Sequence, residues 1–97
     1  MIASPRPALL LTRREIAALM APQDYLSAVE AGFRCHAHGN AGVAVPMHIE
    51  VPNGAFHAKG AHAVLDRSYV AVKLNGNFPA NPQRSGLPTI QGVVVLC

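Results

Sequence analysis

Apolar residues in the first forty positions recur at helical spacing. Thr12 and Glu15 form a capping box, in which each side chain satisfies a backbone N–H at a helix start, and this predicts a short helix over residues 13–20. A second helix is predicted to begin near Pro22 and to end before Gly39, with apolar residues every three or four positions. Those residues are Tyr25, Leu26, Val29, Phe33 and Ala37.

The pattern changes to strands after Gly42. Four strands are predicted, over residues 47–51, 55–64, 68–75 and 89–97, and the first two form a hairpin around the turn Pro52-Asn53-Gly54. A short buried strand is also predicted at residues 9–11, after a flexible arm over residues 1–8. Two helices followed by adjacent strands favour an α+β fold with a mixed or antiparallel sheet.

The composition is too apolar for a domain that stands alone. Of the 97 residues, 51% are hydrophobic and 13% charged, about half the roughly 25% charged residues of a typical globular protein. The run Val93 to Cys97 is apolar and stops without a turn signal, as in a buried strand. We therefore expect residues 9–97 to be part of a domain that is truncated at its C-terminus, within a longer protein.

The charge distribution excludes several classes of partner. The formal net charge is +3, but the basic residues are scattered and have no aromatic residues between them, so nucleic-acid binding is not expected. No apolar run is long enough to span a membrane. The two cysteines, Cys35 and Cys97, do not form a disulfide framework, and we expect a cytoplasmic protein.

One lysine interrupts the apolar pattern of the third predicted strand. Alternation places Lys73 and Asn75 on one face and Val70, Val72 and Leu74 on the other, which is predicted as core. A lysine at such a place pairs with a substrate carboxylate or hydrogen-bonds a carbonyl or imine. The alternative is a solvated strand face.

Lys59, in the second predicted strand, lies beside Lys73 if these strands pair, and the two ammonium groups then flank one anionic ligand. His48 begins the first of the four strands and can join them. The alternatives are solvent exposure for Lys59 and a structural role for His48. His36 and His38, which follow Cys35 at the end of the second predicted helix, are two positions apart and point to different sides of it, so no metal site is expected.

A long loop rich in Asn, Pro and Gly follows Lys73 and ends at Thr89. No G-x-G-x-x-G motif occurs, so these residues contain no Rossmann-type dinucleotide-binding unit.

The sequence VKLNGNFP at residues 72–79, followed by NP at 81–82 and GLPTIQG at 86–92, resembles the N-terminal signature of the ornithine cyclodeaminase/mu-crystallin family. The helical segments LLLTRREIAALM and DYLSAVEAGFRCHAHGNA also fit, and the resemblance extends from about Leu9 to Cys97. It implies a substrate-binding and dimerisation domain that joins a partner subunit as a homodimer and precedes a Rossmann domain for NAD or NADP.

Carried over by position, Lys73 matches the family's substrate-binding and catalytic lysine, and Thr89 matches a position that touches the cofactor. His48 stands where many members have a carboxylate-binding arginine, and this departure weakens ornithine specificity because histidine lacks the bidentate fork of arginine. Lys59 then serves as the anion partner, and Asn75 joins the substrate-binding residues.

The resemblance implies hydride transfer between an amino acid or cyclic imine and NAD(P). Ornithine cyclodeamination to proline and ammonia, amino acid dehydrogenation and ketimine reduction are the reactions it suggests for the longer protein, whereas residues 1–97 alone are expected to be inactive. The alternative is a non-catalytic binding or dimerisation module of mu-crystallin type.

Overall fold

A computed structural model describes residues 6–97. The chain divides into two compact units: one holds α1 and the first part of α2 up to Ala31, and the other runs from Gly32 to Cys97. The helices and strands are α1 (Arg13–Leu19), α2 (Pro22–Ala37), β1 (Val45–Val51), β2 (Gly54–Val64), β3 (Ser68–Asn77), α3 (Asn81–Arg84) and β4 (Ile90–Leu96). Residues 1–5 of the predicted arm lie outside the described residues, and residues 6–8 have no regular secondary structure.

The capping box at the start of α1 is confirmed. The hydroxyl of Thr12 accepts a hydrogen bond from the N–H of Glu15 at 3.2 Å and donates one to its carboxylate at 3.0 Å. The strand predicted at residues 9–11 is wrong, because this segment has no regular structure and the side chains of Leu9 and Leu10 are 83% and 86% exposed. A strand needs a neighbour for its backbone groups, and none of the described strands pairs with this segment.

The second predicted helix is confirmed at both ends. The carboxylate of Asp24 accepts a hydrogen bond from the N–H of Ala21 at 2.8 Å, which supports the first turn of α2. Gly39 follows the helix with a φ of 77°, the left-handed conformation that glycine adopts at low cost. Near the end of α2, the buried Cys35 thiol donates to the carbonyl of Val64 at 3.3 Å.

The four predicted strands form one sheet in the order β1-β2-β3-β4, and every neighbouring pair is antiparallel. The first hairpin turns at Asn53, whose φ of 72° is tolerated by asparagine. The chain is therefore α+β, as the sequence predicts. One element was not predicted: the loop after β3 contains the single-turn helix α3, with Pro in its first turn.

The aliphatic face of β3 is partly exposed within the sheet formed by the described residues. Val70, Val72 and Leu74 are 41%, 36% and 44% exposed, and the core predicted on this face stays a prediction that needs a second layer. The apolar end of the chain is not buried here either, since Leu96 is 67% exposed. A single antiparallel layer leaves both faces open unless another layer packs on it. None of the helices within residues 6–97 has the length and apolarity needed to cross a membrane.

Candidate functional site

The strand register brings the predicted substrate-binding residues onto one face of the sheet. In antiparallel strands, residues that pair directly have side chains on the same face. Lys59 of β2 pairs with Lys73 of β3, and His57 pairs with Asn75 two residues further along. His48 of β1 pairs with His57, so it shares this face as well. We call this the lysine face.

This register follows from the turns between the strands. The Asn53 turn joins β1 and β2 so that Val51 pairs with Gly54, and the short connection at residues 65–67 pairs Val64 with Ser68. Strand alternation then fixes the face of every later residue, because a shift by one position would move each side chain to the opposite face.

Lys59 and Lys73 line a cavity of about 170 Å³ together with His57, Ala58 and Asn75. We call it the lysine pocket. Lys73 and Asn75 also line a neighbouring groove of about 340 Å³ that reaches β4 at Ile90, Gly92, Val93 and Val94. Two adjacent cavities therefore meet at Lys73 and Asn75.

Gly92 keeps the space beside Asn75 open. It pairs with Asn75 across the β3–β4 ladder, so any side chain at this position would lie on the lysine face. An added Cβ would lie 2.8 Å from the Cβ of Asn75 and 2.6 Å from the carbonyl oxygen of Leu74, closer than van der Waals contact allows. The glycine thus permits the close approach of the two strands and leaves the groove unfilled.

The two lysines have no carboxylate partner among residues 6–97. The acidic residue of the strands on this face, Glu50, pairs instead with His48, with 3.5 Å between Oε1 and Nε2. Like charges directly opposite each other destabilise a sheet, and an anion between them removes that repulsion. The arrangement suits the binding of a small anion.

His57 links the lysine pocket to His48. The Nδ1 atoms of the two rings are 3.0 Å apart, and the rings meet edge to face with centroids 4.4 Å apart. Glu50, His48 and His57 therefore form a continuous polar chain that ends in the lysine pocket. Such a chain can orient the imidazole of His57 and hold a proton at a defined ring atom.

Thr89 lies apart from this group. It precedes β4, and its carbonyl accepts a hydrogen bond from the N–H of Phe78 at 2.8 Å. A third cavity, of about 330 Å³, is lined by Phe56, Gly76, Phe78, Asn81 and Gln91. Phe56 and Phe78 meet edge to face in it with ring centroids 5.4 Å apart.

Tyr69 anchors the start of β3. Its hydroxyl donates to the carboxylate of Asp66 at 2.8 Å and accepts from Nε of Arg67 at 3.2 Å. The hydrogen bond with Tyr69, followed by the charges of Tyr69 and Asp66, raises the pKa of Arg67 above its ordinary value. This cluster fixes the β2–β3 turn.

Sequence reasoning assigned no role in the site to two residues that the structure brings there, His57 and Gly92. His57 shares the alternation parity of Lys59, and this signal was sufficient to place it on the lysine face. Gly92 carries no such signal, because its role depends on the β3–β4 register.

The described residues supply groups for a substrate but no cradle for a dinucleotide. A dinucleotide cradle of the Rossmann type needs a parallel strand, a glycine-rich turn and the N-terminus of a following helix. Residues 6–97 form an antiparallel meander instead, and α3 has four residues. No reaction step can be assigned to a cofactor through these residues alone.

Sequence and structure comparisons both match an archaeal alanine dehydrogenase. The chain is 32% identical over 88 residues to an alanine dehydrogenase of Archaeoglobus fulgidus, a match that covers 91% of this chain and 26% of the relative. It also superimposes on the solved structure of an archaeal alanine dehydrogenase dimer with bound NAD, with a TM-score of 0.78 and 31% identity over 89% of this chain and 26% of that one. No family model matches.

The chain spans about a quarter of the length of the proteins it matches. The likeness in sequence and fold supports the ornithine cyclodeaminase/mu-crystallin family in broad terms, without singling out ornithine cyclodeaminase, and this chain is a relative of archaeal alanine dehydrogenase over that quarter.

Proposed function

We propose that this chain is the substrate-binding and dimerisation part of a cytoplasmic NAD(P)-dependent enzyme that transfers hydride to or from an amino acid or cyclic imine. The main support for this proposal is the position of Lys73, which lines both cavities of the lysine face beside Asn75. The likeness to an alanine dehydrogenase dimer with bound NAD supports the reaction class, the cofactor and the homodimer. Amino acid dehydrogenation is the reaction best supported, and ornithine cyclodeamination and ketimine reduction are the alternatives within the family.

In this proposal Lys73 pairs with the substrate carboxylate and stabilises charge at the reacting carbon and nitrogen. Asn75 hydrogen-bonds the same substrate and fixes its orientation, while Lys59 and His48 complete the anion-binding face. When bound, NAD(P) supplies or accepts the hydride. Thr89 is proposed to lie on the side of the substrate that faces the cofactor.

The test is an NAD(P)-linked activity screen of the full-length protein with alanine, ornithine, arginine and cyclic ketimines. Turnover of one substrate class with NAD or NADP is the expected result. The absence of turnover with every class, in a protein that binds NAD(P), would overturn the enzymatic proposal.

A second candidate is a non-catalytic module of mu-crystallin type, which binds a small molecule or a second subunit. It is supported by one observation: the described residues carry a cavity lined by Lys59, Lys73 and Asn75 that suits a small anion. Ligand binding without turnover in the same screen would support it.

A further inference from the structure

The pairing of Lys59 with Lys73 bears on the number of carboxylates in the substrate, which the likeness to alanine dehydrogenase does not address. Building on the proposed function, we propose that the lysine pocket selects substrates with two carboxylates: acidic amino acids, N-carboxyalkyl amino acids, or the corresponding imines. One carboxylate of the substrate pairs with Lys73 and the second pairs with Lys59. Lys59 and Lys73 lie on the same face of paired strands and line the same cavity.

The charges that face this pocket are consistent with that assignment. Lys59 and Lys73 contribute two positive charges, and neither is paired with a carboxylate among residues 6–97. Glu50, four register positions along the β1–β2 ladder from Lys59, forms an ion pair with His48. The other polar groups that line the pocket, those of His57 and Asn75, carry no negative charge.

Substrates of different charge should be distinguished strongly by such a pocket. Alanine offers one carboxylate, which leaves one lysine without a partner. Ornithine adds a positive charge to a pocket that already has two. A dicarboxylic amino acid provides one carboxylate for each lysine, and the groove beside the pocket, of about 340 Å³, gives room for the rest of the molecule.

The two lysines also favour an extended diacid over a compact dianion. Side chains that pair directly across a ladder start from Cβ atoms about 4.5–5.5 Å apart, and each lysine is free to reach its own carboxylate from there. Inorganic phosphate is also an anion that lysine can bind, but unlike a dicarboxylate it does not have two separate anionic ends. Inorganic phosphate therefore serves as the competing probe.

The experiment measures both binding and turnover in the full-length protein. Glutarate, acetate, ornithine and inorganic phosphate are titrated by calorimetry, and kcat/KM is measured with glutamate, alanine and ornithine. Glutarate should bind at least about tenfold more tightly than acetate or phosphate, because a hydrogen bond to a charged group is worth about one factor of ten or more. Glutamate should exceed alanine in kcat/KM by a similar factor.

Two variants of Lys59 isolate its contribution. Lys59→Gln should abolish the tenfold preference for glutarate, whereas Lys59→Arg, which keeps the charge, should retain most of it. Thermal melting of both variants shows whether the fold is intact, and Lys59→Arg keeps the test decisive if Lys59→Gln does not fold. Equal binding of acetate and glutarate, tighter binding of phosphate or ornithine, or an unchanged preference in Lys59→Gln would overturn the proposal.

The two proposals fail differently. If glutarate binds selectively but no substrate is turned over, the assignment of the pocket stands and the enzymatic function fails. If alanine or ornithine is turned over faster than glutamate, the enzymatic function stands and the diacid assignment fails.

Discussion

His48 and His57 meet across the β1–β2 ladder with their Nδ1 atoms 3.0 Å apart. In a hydrogen bond between two neutral imidazoles, one Nδ1 carries the hydrogen and the other Nδ1 accepts it. The carboxylate of Glu50, 3.5 Å from Nε2 of His48, favours a proton at that atom. His48 then accepts at Nδ1, His57 donates there, and Nε2 of His57 remains an acceptor at the lysine pocket.

This arrangement predicts the tautomers of both rings. Nitrogen NMR spectra of the protein at neutral or higher pH should show His48 protonated at Nε2 and His57 protonated at Nδ1. Glu50→Gln should weaken that preference, because the amide is a weaker acceptor than the carboxylate. Spectra with both rings protonated at Nε2 would contradict this assignment of the tautomers.

Removal of the Lys73 ammonium should be the most damaging single change to activity. Lys73→Ala in the full-length protein should lower kcat/KM by at least about 100-fold, the range expected for a lost stabiliser of charge in the reaction. Arg14→Ala, which removes a positive charge on α1, is the matched control and should leave kcat/KM within about twofold. Full activity of Lys73→Ala would show that this lysine has no role in the chemistry.

Gly92 should be intolerant of even one extra carbon. Gly92→Ala brings a Cβ to 2.6 Å from the carbonyl oxygen of Leu74, and we expect overpacking to lower the free energy of unfolding by about 1–3 kcal/mol. Gly32→Ala in α2 is the opposite control: nothing lies within 4 Å of the new Cβ, and alanine in a helix should raise stability by about 1 kcal/mol. Urea unfolding of both variants measures the two changes; a Gly92→Ala protein as stable as the parent would disprove the close approach.

The order of elements was predictable from the sequence because each depends on local signals. The capping box at Thr12 and the glycine after α2 each concern neighbouring residues, and both were found in the structure. The lysine face was predictable in part, because alternation places Lys59 and Lys73 on the same face of the sheet once their strands pair.

What the sequence could not reveal depends on distant partners. The strand predicted at residues 9–11 looked buried because leucine is usually buried, but the described strands offer it no partner. The core predicted on the aliphatic face of β3 stays a prediction, because apolar residues indicate that a face is to be covered, not which layer covers it. The contact of His48 with His57 required the β1–β2 register, which only the structure provides.

The cap of α1 gives a prediction independent of the site. Thr12→Ala should lower the stability of α1 by about 1 kcal/mol, because the N–H of Glu15 loses its acceptor. Thr12→Ser keeps an oxygen at this position and should lose much less. Hydrogen exchange of the amides in residues 13–19 reports the difference, and equal exchange in the two variants would show that the cap contributes nothing.

The uncovered apolar faces predict self-association. Val94 and Leu96 of β4 are each 67% exposed, and Phe33 of α2 is 73% exposed. We expect the 97-residue polypeptide to associate in solution, because apolar area on this scale is unfavourable in water. Sedimentation velocity measures its mass; a stable, compact monomer would count against a dimerisation role.

The sheet is a simple meander, in which each strand pairs with the next one along the chain. Contacts between neighbours in sequence close short loops, and proteins dominated by such contacts reach their native arrangement quickly. The lysine pocket, built from the adjacent strands β2 and β3, can therefore assemble early, while its surroundings are still forming. Newly made molecules then expose their apolar faces until a second layer covers them, and such transiently exposed surface favours aggregation.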